Sequence, residues 1–482
     1  MAKTPWMTSN QLVEAVKRKI TFPTSQNTFN SNDILAFADE EMMIAQVPDI
    51  LQFHQEHFVT YDRIAITSSA RYQIPRRAIG MKLRDLFWED NSGQLYEMTK
   101  VSSEDKAFYQ RDVVSTQTIH KFYLEGNDIV LTPQMFSNPI GYLRPYYFLR
   151  PGQLVRDERA ATIKFFVKTI VVDNSQIQAG DKLTIGSIAL VAVSGAPSSS
   201  NEFQIAGTSA LTADNLAAAI LATEAVPFVL SNGLGTVTIK YEALSTSILS
   251  SNVSALAVSS SDVAQVEYET DPDLPTGLAS TGASWSGRIA TITVDNLMQS
   301  GDFIKVYGGT NYDGHYKVLE ATSTQIQFIL NTDPGVTGNP TIDQVVFGPG
   351  QKVDFLQTGG GHKTMNMDIS LPSSFNYGMI TLAGGTLNSN LVAGDYMIPA
   401  EEAIVPQIPS DLHNGLAERT AARILAAIGD TSGLAVSNAK IKDIEQSEAK
   451  LIDNRVEGSP TKIVNKYSIL NSNKIGYRRR YF

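Results

Sequence analysis

Cysteine is absent from the sequence, which removes disulfides, thiolate nucleophiles and cysteine-based zinc sites together. A chain that must persist outside a cell would then rely on packing and neighbouring subunits in place of covalent staples. No apolar run approaches the ~18 residues that a membrane-spanning helix needs, so no membrane role is expected. Met1 to Asn10 lack a basic stretch followed by an apolar one, so no secretory signal is expected, and synthesis as a soluble protein in the cytoplasm is. Charged residues are sparse, 18% against 43% hydrophobic, which permits a substantial core and argues against wholesale disorder. The length of 482 residues suits two to four domains.

Acidic side chains are missing after Glu457, whereas Lys462, Lys466, Lys474, Arg478, Arg479 and Arg480 are all basic. The chain as a whole carries a formal −10, so residues 1–457 carry −16. An acidic body argues against general affinity for nucleic acid. A basic tail tipped with Tyr477, Tyr481 and Phe482 suggests a segment that docks on an acidic partner.

What is present changes character along the chain. From Asn30 a helical pattern begins, with Ser31, Asn32 and Asp33 as capping candidates and Pro48 expected to kink or break it. Arg71 to Asp85 reads as a turn at Pro75 followed by a short helix. From about Ile163 the charges thin out, and alternating runs such as Lys182–Ile185 and Thr236–Tyr241 predict strands, with one helix over Thr212–Ile220. A linker over Asp271–Ser284 leads to further predicted strands at Arg288–Val294, Asp302–Tyr307, His315–Leu319 and Gln325–Leu330. Two helices are predicted near the end, one from Ser410 to Gly429 and one from about Leu434 to Asp453, forming an antiparallel pair.

These readings predict an α+β protein: a discontinuous α-helical core with two inserted β-rich domains. The expected divisions are 1–160 and 351–457 for the two parts of the core, 161–270 and 280–350 for the inserts, and 458–482 for a docking arm.

Several segments, in their order along the chain, resemble a family of podophage head-to-tail connector and adaptor proteins. They are Phe37–Glu41 with Val47–Pro48 and Glu56–Val59; Tyr72–Asp85; and Tyr146–Tyr147 with Arg150–Val155. The C-terminal segments are the closest: Gly394–Tyr396, Val405–Pro409, Leu412–His413, Arg423–Asp430 and Arg455–Ile463. The resemblance covers roughly 1–160 and 350–482. It implies a structural virion protein at the head-tail junction, assembled in the host cytoplasm as a homo-oligomeric ring, dodecameric in this family. The ring would join the portal protein above to a tail or nozzle protein below and line the channel for genome DNA in transit. It implies no catalytic residue, no cofactor and no metal. Together with the tail's composition it suggests that Tyr477, Arg478, Arg479, Arg480, Tyr481 and Phe482 dock on the portal, with aromatics filling pockets and arginines pairing with carboxylates. The two inserts depart from the bare adaptor pattern. The competing reading is a tail- or fibre-associated protein whose β modules bind a host surface or neighbouring virion proteins.

Chemical readings fit the sequence less well. Thr358-Gly-Gly-Gly-His-Lys-Thr364 superficially matches a phosphate-binding loop, but His362 separates the glycines from Lys363, and Asn366–Leu371 alternates like a strand. His54 and His57, with Glu56, Glu40 and Glu41 nearby, lack a third-ligand pattern. The run Asp39–Glu41 reads as a charged helix face, and nothing selects two carboxylates across a sugar cleft. The basic tail as a DNA-binding arm is the remaining alternative to portal docking.

Overall fold

The computed structural model describes residues 6–20, 29–53, 55–67, 69–102, 104, 121–132, 141–185, 187–223, 228–242, 249–259, 263–268, 271, 273–308, 310–335, 338–357, 359–370, 379–382 and 390–451. Strand accounts for 39% of the structure and helix for 26%. The expected α-helical core is therefore corrected: the protein is predominantly β. Its described α-helices are α1 (Ser9–Ile20), α2 (Ser31–Glu41), α3 (Val47–Phe53), α4 (Ser209–Ala222), α5 (His413–Ile428) and α6 (Thr431–Leu451).

One local correction accounts for part of the shift. Arg71–Asp85 is not a turn and short helix. It holds the strand Arg71–Gln73 and most of a twelve-residue strand, Ala78–Glu89. Ala, Met, Lys, Leu and Arg favour helix in isolation, but pairing with the aromatic strand Tyr142–Leu149 overrides that preference. The register shifts between Ala78 and Leu83, where Gly80 and Met81 both have positive φ, which marks a bulge in the long strand. Pro48, expected to kink or break a helix, follows a π-turn over Met42–Gln46 that interrupts the α-helical course between α2 and α3. The Val47 N–H reaches back to the Met42 carbonyl. That wider turn precedes the residue that cannot donate, so the helical course continues past it.

The chain divides into two compact units. One comprises Ala15–Ser25, Phe37–Pro151 and Ile408–Phe482. It contains a five-stranded sheet built on Ala78–Glu89 and Tyr142–Leu149, a four-stranded sheet around Lys121–Glu125 and Asp128–Thr132, and the helices α3, α5 and α6. The inner face of the five-stranded sheet buries Leu86, Leu143 and Tyr147, and the Tyr147 hydroxyl donates to Asp62 at 3.0 Å.

The other unit comprises Met1–Glu14, Gln26–Ala36 and Gly152–Gln407. Its main sheet does not stop at the boundary expected near 350. Ala161–Val172 pairs with Val263–Tyr268, which pairs with Met379–Leu382, then His362–Ser370, Lys352–Leu356 and Tyr396–Pro399. Tyr396–Pro399 returns to Ala161–Val172 through Met397 and Ala161. Six antiparallel strands therefore close into a barrel, which removes exposed edges. Ala161, Ile163, Val353, Phe355 and Met397 are fully buried in its core. The far half of Ala161–Val172 leaves the barrel to pair with Thr236–Tyr241. There α4 packs Ala213, Leu216 and Ile220 onto the same core. Its N-cap, Thr208, accepts from the Leu211 N–H at 3.3 Å.

Residues 278–345 form a separate seven-stranded sheet around Ile292, Ile304, Val306, Ile326 and Phe328. Its edge strands, Leu278–Ala279 and Gly282–Ser286, are joined by Ser280 and Thr281 alone. Two residues reach only a few ångströms, so the sheet curls into a small barrel whose edge strands are brought near each other by the chain, with no hydrogen-bonded pairing between them among the described residues. The expected linker over Asp271–Ser284 thus contributes two strands to this module.

Candidate functional site

The proposed docking residues Tyr477, Arg478, Arg479, Arg480, Tyr481 and Phe482 lie outside the described residues, as does His54. His57 is exposed and meets Phe58 edge-on. Among the described residues no group of three or more His, Asp or Glu is placed to hold a metal ion, and no helix is long and apolar enough to cross a membrane. The glycine-rich segment joins two antiparallel strands, Lys352–Leu356 and His362–Ser370, so it lacks the strand-to-helix setting of a phosphate loop. Its His362 is a structural pin. Gln407 accepts from the Gly152 N–H at 2.7 Å, which turns its amide nitrogen toward His362 Nε2 at 2.8 Å. That contact makes Nε2 the acceptor and leaves the ring proton on Nδ1, which faces the buried carboxylate of Asp354 at 3.9 Å.

The site of most interest is the root of the C-terminal segment. Helix α5 is buried along most of its length, through Leu416, Ala417, Ala421, Ile424 and Leu425. Gly429 adopts the left-handed conformation at its end and turns the chain into α6. Glu418 is buried at the helix junction and accepts from Lys19 Nζ at 2.7 Å and from the Ser437 hydroxyl at 2.9 Å. Burial alone would push its carboxyl up, but Lys19 and Ser437 outweigh that and hold it below the usual range. On the outer side Arg423 pairs with both Glu40 and Glu41, at 2.7 Å for the latter, and lies over the Phe37 ring. Arg419 reaches Glu445 at 2.8 Å across the α5–α6 pair. The carboxylates Glu40 and Glu41, read from sequence as part of a charged helix face, are thus clamps on α5. No local signal reveals this, because their partner lies almost four hundred positions away.

Helix α6 contrasts with α5. Leu434, Ser437, Ile441 and Ile444 form a single seam of contact, while Val436 is 58% exposed, as is most of the remaining described surface. A firmly held helix therefore leads into a solvated one, and the solvated one leads into the basic, acid-free segment.

A second feature was missed from sequence. The five-stranded sheet carries Glu89 between Arg63 and Arg144, which both donate to it; Arg144 and then Arg63 hold its carboxyl below the ordinary range. Arg63 also stacks on Tyr142 at 3.6 Å and Arg144 lies over Tyr61 at 5.0 Å. This fixes a half-exposed row of aromatic and arginine side chains. The alternation of Tyr142, Arg144 and Tyr146 on one face of the strand is the signal that could have found it. With this geometry in place, comparison with known proteins adds no name: no protein-family model matches the chain, and no curated protein matches it.

Proposed function

We propose that the chain is a non-enzymatic structural subunit of a tailed-phage virion, a head-to-tail adaptor that assembles as a ring on the portal. The observation that carries this reading is the root of the C-terminal segment. Helix α5 is clamped by Glu40, Glu41, Lys19 and Ser437, while α6 keeps one seam of contact, and beyond Glu457 the sequence carries six basic and no acidic side chains. Such a segment suits docking on an acidic neighbour at low desolvation cost. The ordered sequence resemblance points the same way. The role rests on assembly and owes nothing to a helical core, which the protein does not have.

Electron microscopy of the protein mixed with portal rings of the same phage tests the reading. An added layer with the portal's rotational symmetry is the expected result, and deletion after Lys474 is expected to remove it. A bare portal with both proteins folded overturns the reading. The predominance of β structure favours a second one, a tail- or fibre-associated protein. Leu234 and Leu297, 84% and 89% exposed at turns braced by Asn232 and Asn296, would then be contact points. Saturable binding of the protein to host cells without portal binding would select it.

A further inference from the structure

The strands Phe228–Ser231 and Thr236–Tyr241 are joined by a tight loop that opens with Asn232 and Gly233. The Asn232 N–H donates to the Thr236 carbonyl at 3.0 Å. The side-chain oxygen of Asn232, Oδ1, receives two backbone donors, the Leu234 N–H at 2.9 Å and the Thr236 N–H at 3.0 Å. The first of these closes an Asx turn, which folds the side-chain carbonyl back over the peptide that follows. The nitrogen of that peptide belongs to Gly233. It donates to the Ser231 hydroxyl at a long 3.3 Å, and with no Cβ beside it, and nothing within 4 Å of where one would stand, it is open to approach. Asn232, Gly233 and Leu234 are all exposed, so water reaches the loop. The only other Asn-Gly pair in the sequence, Asn414-Gly415, is placed differently. It lies in the first turn of α5, and Gly415 is buried. A helix projects the side chain outward and keeps the next nitrogen within its backbone cylinder, so Asn414 Cγ meets Gly415 N only if the turn unwinds.

We infer that Asn232 is a site of spontaneous modification, where the side-chain amide is lost and the main chain is rerouted through an isoaspartyl linkage. Gly233 N gives its proton to solvent hydroxide and attacks Asn232 Cγ, closing a ring between covalently adjacent groups. Charge collects on Oδ1 against the Leu234 and Thr236 donors, as on an oxyanion held by backbone N–H groups. The Cγ–Nδ2 bond breaks, Nδ2 takes a proton from water and departs as ammonia, and a cyclic imide remains. One water then opens the ring. Breaking the bond from Cγ to nitrogen leaves aspartate at 232. Breaking the bond from the backbone carbonyl to nitrogen leaves isoaspartate, with the main chain running through Cβ and Cγ. The net change is one water consumed and one ammonia released, and no side chain has to hold an unusual protonation state. In the isoaspartyl form Oδ1 belongs to the main chain, so the side-chain bonds that fasten the loop through Leu234 and Thr236 lapse. A carboxylate also appears beside Leu234, which is 84% exposed at the tip.

Peptide mapping of the full-length chain, incubated at mildly alkaline pH both folded and unfolded in guanidinium chloride, decides the matter. The unfolded chain is expected to lose both amides, Asn232 and Asn414, and the time it takes sets the length of the experiment. Over that time the folded chain is expected to lose Asn232 alone. Its peptide should gain the mass of an NH2-to-OH exchange and separate into isoaspartyl and aspartyl forms, told apart by electron-transfer fragmentation. Hydrogen exchange in the incubated folded protein should rise over 228–241. Asn232→Gln is expected to keep its amide, because the longer side chain closes a less favourable ring. An Asn232 amide that survives in the folded wild-type chain overturns the inference. So does loss of Asn414 alongside it in the folded chain, since the fold would then select nothing. The wild-type chain decides both points, so a variant that fails to fold does not shelter the idea.

Discussion

The two barrels of the Gly152–Gln407 unit reach closure by opposite routes. In the larger one, Ala161–Val172 meets Tyr396–Pro399, a partner more than two hundred residues away, and four of the six strands come from 352–399. In the smaller one every strand lies within 278–345, three of the six pairings join consecutive strands, and the chain steps across the seam through two residues. Closing a long loop costs more entropy than closing a short hairpin; Lys352–Leu356 and His362–Ser370 pair locally, but the larger barrel closes only when 352–399 meets 161–268. The smaller barrel is a local object, whereas the larger one exists only as a whole.

The sharpest way to break that comparison is to cut the chain. A fragment spanning 271–350 is expected to fold alone, giving β-type circular dichroism and a cooperative melt. A fragment spanning 161–270 is expected to remain unfolded, since it lacks the strands Lys352–Leu356, His362–Ser370, Met379–Leu382 and Tyr396–Pro399. Folding of both fragments would show that the barrel closure is dispensable. Point substitutions test the same idea more gently. Phe355 and Phe328 are both fully buried, one in each core, and replacement of either by alanine is expected to cost about 3–5 kcal/mol. The reach of the damage should differ. Hydrogen exchange is expected to rise in both 161–268 and 352–399 for Phe355→Ala, and only within 278–345 for Phe328→Ala.

Acid separates the two barrels further. Burial, reinforced by Lys305, lowers the His315 pKa from 6.5 to about 4. Below 6.5 the unfolded chain takes up a proton that the folded module refuses, so the module's stability is intact above 6.5 and falls as the pH drops toward 4. The loss is at most about 3 kcal/mol, and less to the extent that the ring keeps contact with solvent. Denaturant melts of the 271–350 fragment at pH 7 and pH 4.5 measure it, and His315→Gln is expected to flatten the dependence.

This contrast also decides what the sequence made legible. In the smaller barrel, Gln325–Ile329, Phe303–Tyr307 and Gly314–Thr322 fall within about three residues of the strands that alternation and turn residues predict. The α5–α6 pair, with Gly429 between, was equally visible, because capping and apolar spacing are local signals. Of the strands from 352 to 399 only His362–Ser370 was legible, through the alternation of Asn366–Leu371. Lys352–Leu356 is buried on four of its five residues, so no alternation marks it, and one of its two partners, Tyr396–Pro399, lies some forty residues on. Ala78–Glu89 was misread for the related reason that its helix-favouring composition yields to a partner strand some sixty residues on. The candidate site divides in the same way. The basic tail is plain from composition, whereas the clamp of Glu40 and Glu41 on Arg423 exists only through pairing.

The smallest test concerns α4, which the larger barrel's core has and the smaller one lacks. Thr208 caps this helix through the Leu211 N–H, and the Thr212 hydroxyl behind it donates to Asn174 at 2.6 Å while accepting from the Ala206 N–H at 2.9 Å. Thr208→Ala removes one acceptor from an exposed helix end and is expected to cost about 1 kcal/mol. Helix α4 buries its face in the core that contains Phe355, so that loss should appear in the transition that reports on 161–268 and 352–399 together. The melt of 271–350 should be unmoved. If the substitution instead loosens α4 alone, with Phe355 and its neighbours still protected from exchange, the larger assembly is less cooperative than its closed pairing implies, and the helix is an appendage to the barrel instead of a part of it.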